Sequence, residues 1–181
     1  HFPALLASPD VELTAVCTTR PESAEEARRT FGAKLAFHDY RAMVASSEID
    51  AVAVVVRGPA PFGPTRAALE AGKHVLIEKP SVLSLAELDE LNKLARQKNV
   101  LAKVVYHKLL DPDHKKLRTL VADGELKHVN TGYCTLLEPK SISGGQFAEW
   151  IKGRNPGTYV AVHYIKLIDF TFGGRLKSVS C

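Results

Sequence analysis

Six consecutive apolar residues, Ala51 to Val56, constrain this chain more than any other stretch. A strand without polar alternation has to be covered on both faces, which is the condition of a parallel strand with helices above and below it. The residues that follow agree. A helical segment from about Pro64 to Ala71 stops at Gly72, and His74 to Ile77 forms a second short apolar strand. Parallel strands joined through a helix cross over with one hand, so the expected class is α/β with a doubly wound parallel sheet. Ligands of such sheets bind at the carboxyl ends of the strands. Glu78-Lys79-Pro80 stands where a reacting group belongs.

The same rhythm runs both ways from this unit. Phe2, Leu5 and Leu6 read as the end of a helix, and Val11 to Cys17 as a β-branched strand. Pro21-Glu22-Ser23 opens a helix with Ser23 and Glu26 at capping-box spacing and Gly32 as its stop. Leu35 to Phe37 is a short strand and Asp39 to Ser46 a short helix. Downstream, Ser84 and Glu87 form a second capping box ahead of an apolar stripe at Leu85, Leu88, Leu91 and Leu94, and Val100 to Tyr106 is a strand.

The alternation breaks at Asp111-Pro112, a helix cap with proline at the first helical position. That helix runs to Gly124. A long alternating strand is expected over Leu126 to Leu137, then a polar stretch from Glu138 to Gly157, a helix from about Tyr159 to Phe172 and a last strand from Leu176. This half is α+β in character. The boundary falls near Lys108, giving domains 1–108 and 109–181.

Composition excludes little but sets limits. The 24 basic residues are interleaved with 20 acidic ones for a net charge of +4. The densest basic cluster, His114 to Arg118, lies on one helix beside Asp111 and Asp113, which reads as a solvated face rather than a nucleic-acid patch. No apolar run approaches a membrane span. Cys17 and Cys134 fall in apolar runs where buried thiols are expected, and three cysteines without a CxxC arrangement point to a reducing compartment, most simply the cytoplasm. The seven histidines are scattered, with no metal-ligand spacing.

Ala71-Gly72-Lys73-His74-Val75 with Glu78-Lys79-Pro80 resembles the most specific motif of the glucose–fructose oxidoreductase/inositol dehydrogenase (Gfo/Idh/MocA) family. Phe37-His38-Asp39-Tyr40, Asp50-Ala51-Val52 and Asp111-Pro112 match it too, so the resemblance covers essentially the whole chain. It implies an NAD(P)-dependent, two-domain oxidoreductase acting on a sugar, polyol or related hydroxy compound. The first domain would bind the dinucleotide. The second would carry an open, mostly antiparallel sheet for substrate binding and homo-oligomer formation. Proteins of this kind open with a strand and a GxGxxG turn for the pyrophosphate; these 181 residues contain no GxGxxG. The chain therefore reads as cut at both ends, without the first Rossmann strand and with only part of the second domain.

The resemblance also implies roles. Lys79 would hydrogen-bond the substrate oxygen beside the nicotinamide, and the bond before Pro80 is often cis. His163 would take the hydroxyl proton, with the residue four positions earlier on the same helix face assisting; there the family's aspartate is Tyr159. Thr18, Thr19 and Arg20 follow the second Rossmann strand without the acid that holds an NAD ribose. They suit the 2′-phosphate of NADP, and equally an ordinary polar loop. Gly58 and Pro59 match the loop that packs on the cofactor, and Glu78 adjoins it. Pro61 stands in place of a frequent histidine, and Leu109 in place of an arginine. Trp150, Lys152 and Arg154 suit either a sugar site or a loop packed on the sheet. The departures at Tyr159, Leu109 and Pro61 favour a second reading, a cofactor-sensing regulator of the same fold without turnover. Lys79 and His163 favour catalysis.

Overall fold

A computed structural model describes residues 1–56, 61–135, 137, 139, 141, 145, 160–174 and 177–178. The chain divides into two compact units, His1–Val104 and Val105–Cys181.

The first unit alternates helix and strand throughout: α1 (Phe2–Ala7), β1 (Ala15–Cys17), α2 (Pro21–Phe31), β2 (Leu35–Phe37), α3 (Tyr40–Ala45), β3 (Ala51–Val54), α4 (Phe62–Glu70), β4 (His74–Ile77), α5 (Leu85–Lys98) and β5 (Ala102–Val104). Every ladder is parallel. β1 pairs with β2 from Ala15↔Leu35 to Cys17↔Phe37. β4 lies between β3 and β5, from Ala51↔His74 to Val54↔Ile77 on one side and Val75↔Ala102 to Ile77↔Val104 on the other. The expected single sheet is thus drawn as two, β1-β2 and β3-β4-β5. These are the two flanks of the doubly wound order 3-2-1-4-5-6. Among the described residues no strand bridges β1 to β3.

Two strands are shorter than their apolar runs suggest, because a ladder ends where its partner ends. Val11 to Thr14 stay outside β1 since β2 offers only three residues, and β5 pairs only opposite Val75 to Ile77. The core of this unit joins Val52, Val54, Val75 and Ile77 to Ala68 and Leu69 of α4, Leu91 and Ala95 of α5, and Val44 and Ile49. Alternate residues of β3 and β4 are buried and the others exposed, so one face carries this core. The cover expected on both faces of the apolar run is met on one, because the described residues pack no core against the other.

The helix ends follow side-chain chemistry. Asp39 caps α3 by accepting the Arg41 N–H at 2.9 Å. Ser84 caps α5 by accepting from Glu87 N at 3.2 Å, while the Glu87 carboxylate reaches back to Leu83 N at 3.1 Å. The other expected capping box does not form. Proline fits the first helical position, so α2 starts at Pro21 with Arg20 as its cap residue, and Ser23 falls inside the helix. α4 likewise starts earlier than Pro64, since proline is tolerated throughout a first turn. In the α5 stripe Leu91 is buried, but Leu85, at the first turn, is 79% exposed.

The second unit holds a 3₁₀ turn η1 (His107–Leu110), α6 (Pro112–Ala122) and α7 (Val162–Phe172). Asp111 caps α6, its Oδ1 accepting from Asp113 N at 3.0 Å and His114 N at 3.4 Å. Replacing Asp111 with alanine is expected to cost about 1 kcal/mol in a chemical denaturation curve, with asparagine nearly neutral. The strand expected over Leu126 to Leu137 does not form at its described positions. Its alternation is real, but no described neighbour offers a ladder, and an unpaired strand has nothing to hold it. Tyr133 and Leu137 are correspondingly exposed. The same cause corrects the expectation for Cys134, which is an exposed free thiol; Cys17, at the end of the paired strand β1, is half-buried. The proposed strand at Leu176 and the third cysteine, Cys181, lie outside the described residues.

Candidate active site

The Gly72-Lys73-His74 stretch shows why β4 begins where it does. Gly72 has φ +73°, a left-handed conformation that ends α4 and that a side chain would strain. Lys73 Nζ donates to the Ser46 carbonyl at 2.9 Å, and His74 Nδ1 accepts the Leu101 N–H at 3.0 Å. Both side chains tie the start of β4 to neighbouring segments, so their work is structural.

At the other end of β4, Glu78 N donates to the Val54 carbonyl at 3.0 Å and so carries the parallel ladder one residue beyond the strand. The Lys79–Pro80 peptide is cis. Glu78 Oε2 accepts the Lys79 backbone N–H at 2.9 Å, and Glu78 Oε1 lies 3.0 Å from Nε2 of His1. Lys79 is half-buried at the carboxyl end of a central parallel strand. An ammonium there can donate hydrogen bonds to an oxygen that gains alkoxide character.

Thr18, Thr19 and Arg20 follow β1. Thr18 N donates to the Phe37 carbonyl at 3.1 Å, which leaves Thr19 and Arg20 exposed beyond the ladder. Arg20 is the cap residue of α2. Beneath them the Cys17 thiol is pushed up by burial and, second, by the Asp39 carboxylate. The donor set at this strand end is two hydroxyls and a guanidinium, a combination that fits a phosphate monoester.

In the second unit His163 sits in the first turn of α7 and is 5% exposed. The His107 ring lies 4.6 Å from it between centroids, and the Tyr106 ring meets it edge-on at 6.1 Å. Lys108 Nζ stands 5.5 Å over the Tyr164 ring, and the Lys108 carbonyl is bonded by His114 Nδ1 at 2.9 Å. The structure therefore gathers Tyr106 and His107 around His163. Lys79, Thr18, Thr19, Arg20 and Glu78 belong to the first unit and His163 to the second. Tyr159, Gly58 and Pro59, with Arg57, Trp150, Lys152 and Arg154, lie outside the described residues.

Sequence reasoning missed two neighbours: His1 beside Glu78, and His107 beside His163. Neither pairing leaves a local signal, because the partners stand 77 and 56 positions apart. Among the described residues no cluster of histidine, cysteine or acid could hold a metal ion, and no helix is long and apolar enough to cross a membrane.

Known proteins supply the frame for this geometry. The chain is 35% identical, over 97% of its length and 51% of the relative's, to dTDP-3,4-didehydro-2,6-dideoxy-alpha-D-glucose 3-reductase of Streptomyces violaceoruber. A solved 3-ketoreductase from Actinomadura kijaniata, in complex with TDP-benzene and NADP, is 30% identical; the match covers 68% of this chain and 39% of that one, with a TM-score of 0.63. Apo scyllo-inositol dehydrogenase from Lactobacillus casei, 22% identical, shares the fold at a TM-score of 0.81 over 96% of this chain and 51% of its own. The chain thus spans about half the length, or less, of the proteins it matches. Residues 1–106 match the family described as an oxidoreductase family with an NAD-binding Rossmann fold, and the chain belongs to that family, Gfo/Idh/MocA.

Proposed function

We propose that the protein is an NAD(P)-dependent oxidoreductase that moves a hydride between nicotinamide and a carbon bearing a hydroxyl or oxo group in a sugar or polyol. The carrying observation is Lys79, half-buried at the carboxyl end of β4 in a parallel Rossmann sheet of this family. When bound, the nicotinamide supplies or receives the hydride. Lys79 Nζ donates to the substrate oxygen and stabilises its developing negative charge. His163 takes the hydroxyl proton in oxidation and returns it in reduction, and Tyr159, four positions earlier in the sequence, assists. Glu78, at the carboxyl end of β4, and the sequence motif at Gly58-Pro59 support a cofactor-binding role for these three residues.

Thr18, Thr19 and Arg20 select NADP over NAD. Their two hydroxyls and guanidinium, with no acid among them, are what supports this reading, and the Actinomadura relative binds NADP. Residues 1–108 serve as the dinucleotide-binding domain and 109–181 as part of a substrate and oligomerisation domain. The exposed Ile165 and Ile168 of α7 support a homo-oligomer. The free thiols of Cys17 and Cys134 support a reducing compartment, the cytoplasm. The partner is a small molecule; neither nucleic acid nor a membrane is called for.

The test uses the full reading frame that encodes this chain. Turnover is measured with both cofactors on polyols such as scyllo-inositol and on nucleotide-activated keto-sugars, the kinds of substrate named for the relatives. Replacing Arg20 with alanine is expected to weaken NADP binding roughly 10–100-fold, the worth of a charge-assisted bond, while NAD affinity stays constant. A wild-type protein that prefers NAD would sink the cofactor assignment. Absence of turnover across the whole panel would sink the enzyme.

A further inference from the structure

His1 and Glu78 stand 77 positions apart and meet at the carboxyl end of β4. A carboxylate only accepts, so the imidazole donates through Nε2 to Glu78 Oε1, at 3.0 Å, whether it is neutral or protonated. The other oxygen, Oε2, accepts the Lys79 backbone N–H at 2.9 Å. Both ends of the Glu78 carboxylate are therefore in use. His1 has no competing duty at its own helix, since it makes no side-chain capping bond to α1.

The backbone of Lys79 is consequently determined from two sides. On one side Glu78 N is locked to the Val54 carbonyl at 3.0 Å. On the other, the Lys79 N–H is tied to a carboxylate whose far oxygen is anchored to α1. The side chains of His1 and Glu78 remain 34% and 27% exposed, so without His1 the carboxylate is free to swing into water. Exposed pairs of this kind contribute little to stability. What this one can contribute is direction: fixing the peptide of residue 79 fixes the line along which its side chain leaves the strand.

We propose that His1 is a positioning residue for Lys79, acting through Glu78 from the start of α1. The proposal rests on the reading of Lys79 as the group that polarises the substrate oxygen. Its experiment has one readout that needs no substrate. In protein labelled with ¹⁵N-lysine, hydrogen exchange at the Lys79 amide is compared between wild type, His1→Ala and His1→Gln, the last keeping a side-chain N–H donor. Exchange in His1→Ala is expected to be about tenfold faster or more, with His1→Gln in between. In the same variants kcat is expected to fall by about 10–10²-fold in His1→Ala, with KM and melting temperature nearly unchanged, and to recover in part in His1→Gln. In a Lys79→Ala background, His1→Ala is expected to cost no further activity.

Unchanged exchange at Lys79 in His1→Ala overturns the proposal. So does a loss of kcat that persists in full when Lys79 is already alanine, because His1 would then act elsewhere. Recovery in neither exchange nor kcat with glutamine also overturns it, since the donor would then be irrelevant. A wild-type protein without turnover refutes the oxidoreductase reading instead, and the exchange measurement then decides the contact by itself.

Discussion

Replacing Lys79 with alanine is expected to lower kcat by about 10²–10³-fold while leaving cofactor affinity within a few-fold of wild type. The expectation follows from where β4 ends. The ladder runs through Val54↔Ile77 and one bond further, from Glu78 N to the Val54 carbonyl, so residue 79 leaves the sheet at its carboxyl edge on a rigid base. A charge there that touches the reacting oxygen gains most when that oxygen becomes an alkoxide, and little when it is a neutral alcohol or ketone. The loss should therefore appear in kcat more than in KM. Arginine is not expected to restore activity, because its planar fork places donors where a compact ammonium does not. The measurement is steady-state turnover in the full reading frame, with cofactor binding followed separately by fluorescence. If cofactor still binds and wild type turns over while Lys79→Ala is equally fast, the lysine is a structural residue. If wild type binds cofactor and turns over nothing, the regulator reading gains.

What the sequence made legible was the part of the fold that is written locally. The apolar run at Ala51, the short strand at His74, the cap at Asp111 with Pro112 and the Ser84 cap all recur in the structure, because each depends on residues within a turn or two. Legibility failed where the deciding partner is distant. The alternation over Leu126 to Leu137 forms no ladder at its described positions, and nothing in those residues could have told that no described strand lies beside them. Ser23 and Glu26 have the spacing of a capping box, but Pro21 starts the helix first and removes the need for one. At the site, Lys73 and His74 sit inside a motif that reads as chemical, yet each is spent on a backbone group 27 positions away. The motif names the strand end; only the structure separates the residues that build it from the one it presents.

His163 carries the second large effect. Replacing it with asparagine is expected to reduce kcat by about 10²–10⁴-fold, the range for loss of a general base or acid. The acid limb of the profile of kcat/KM against pH should disappear with it, because that limb reports the base of the free enzyme. The competing explanation is packing. At 5% exposure, beside the rings of His107 and Tyr106, an imidazole contributes to the interior of its unit whether or not it reacts. The two roles part in what they leave behind. A packing residue lost to asparagine lowers the midpoint of thermal unfolding and leaves the pH profile of the surviving activity in place. A base lost to asparagine leaves cofactor affinity intact and flattens the profile. His107→Asn is the internal control: it removes the neighbouring ring without touching the proposed base, so it should disturb stability at least as much as catalysis. A His107 variant that abolishes turnover while His163→Asn retains it would move the proton-transfer role to the other ring.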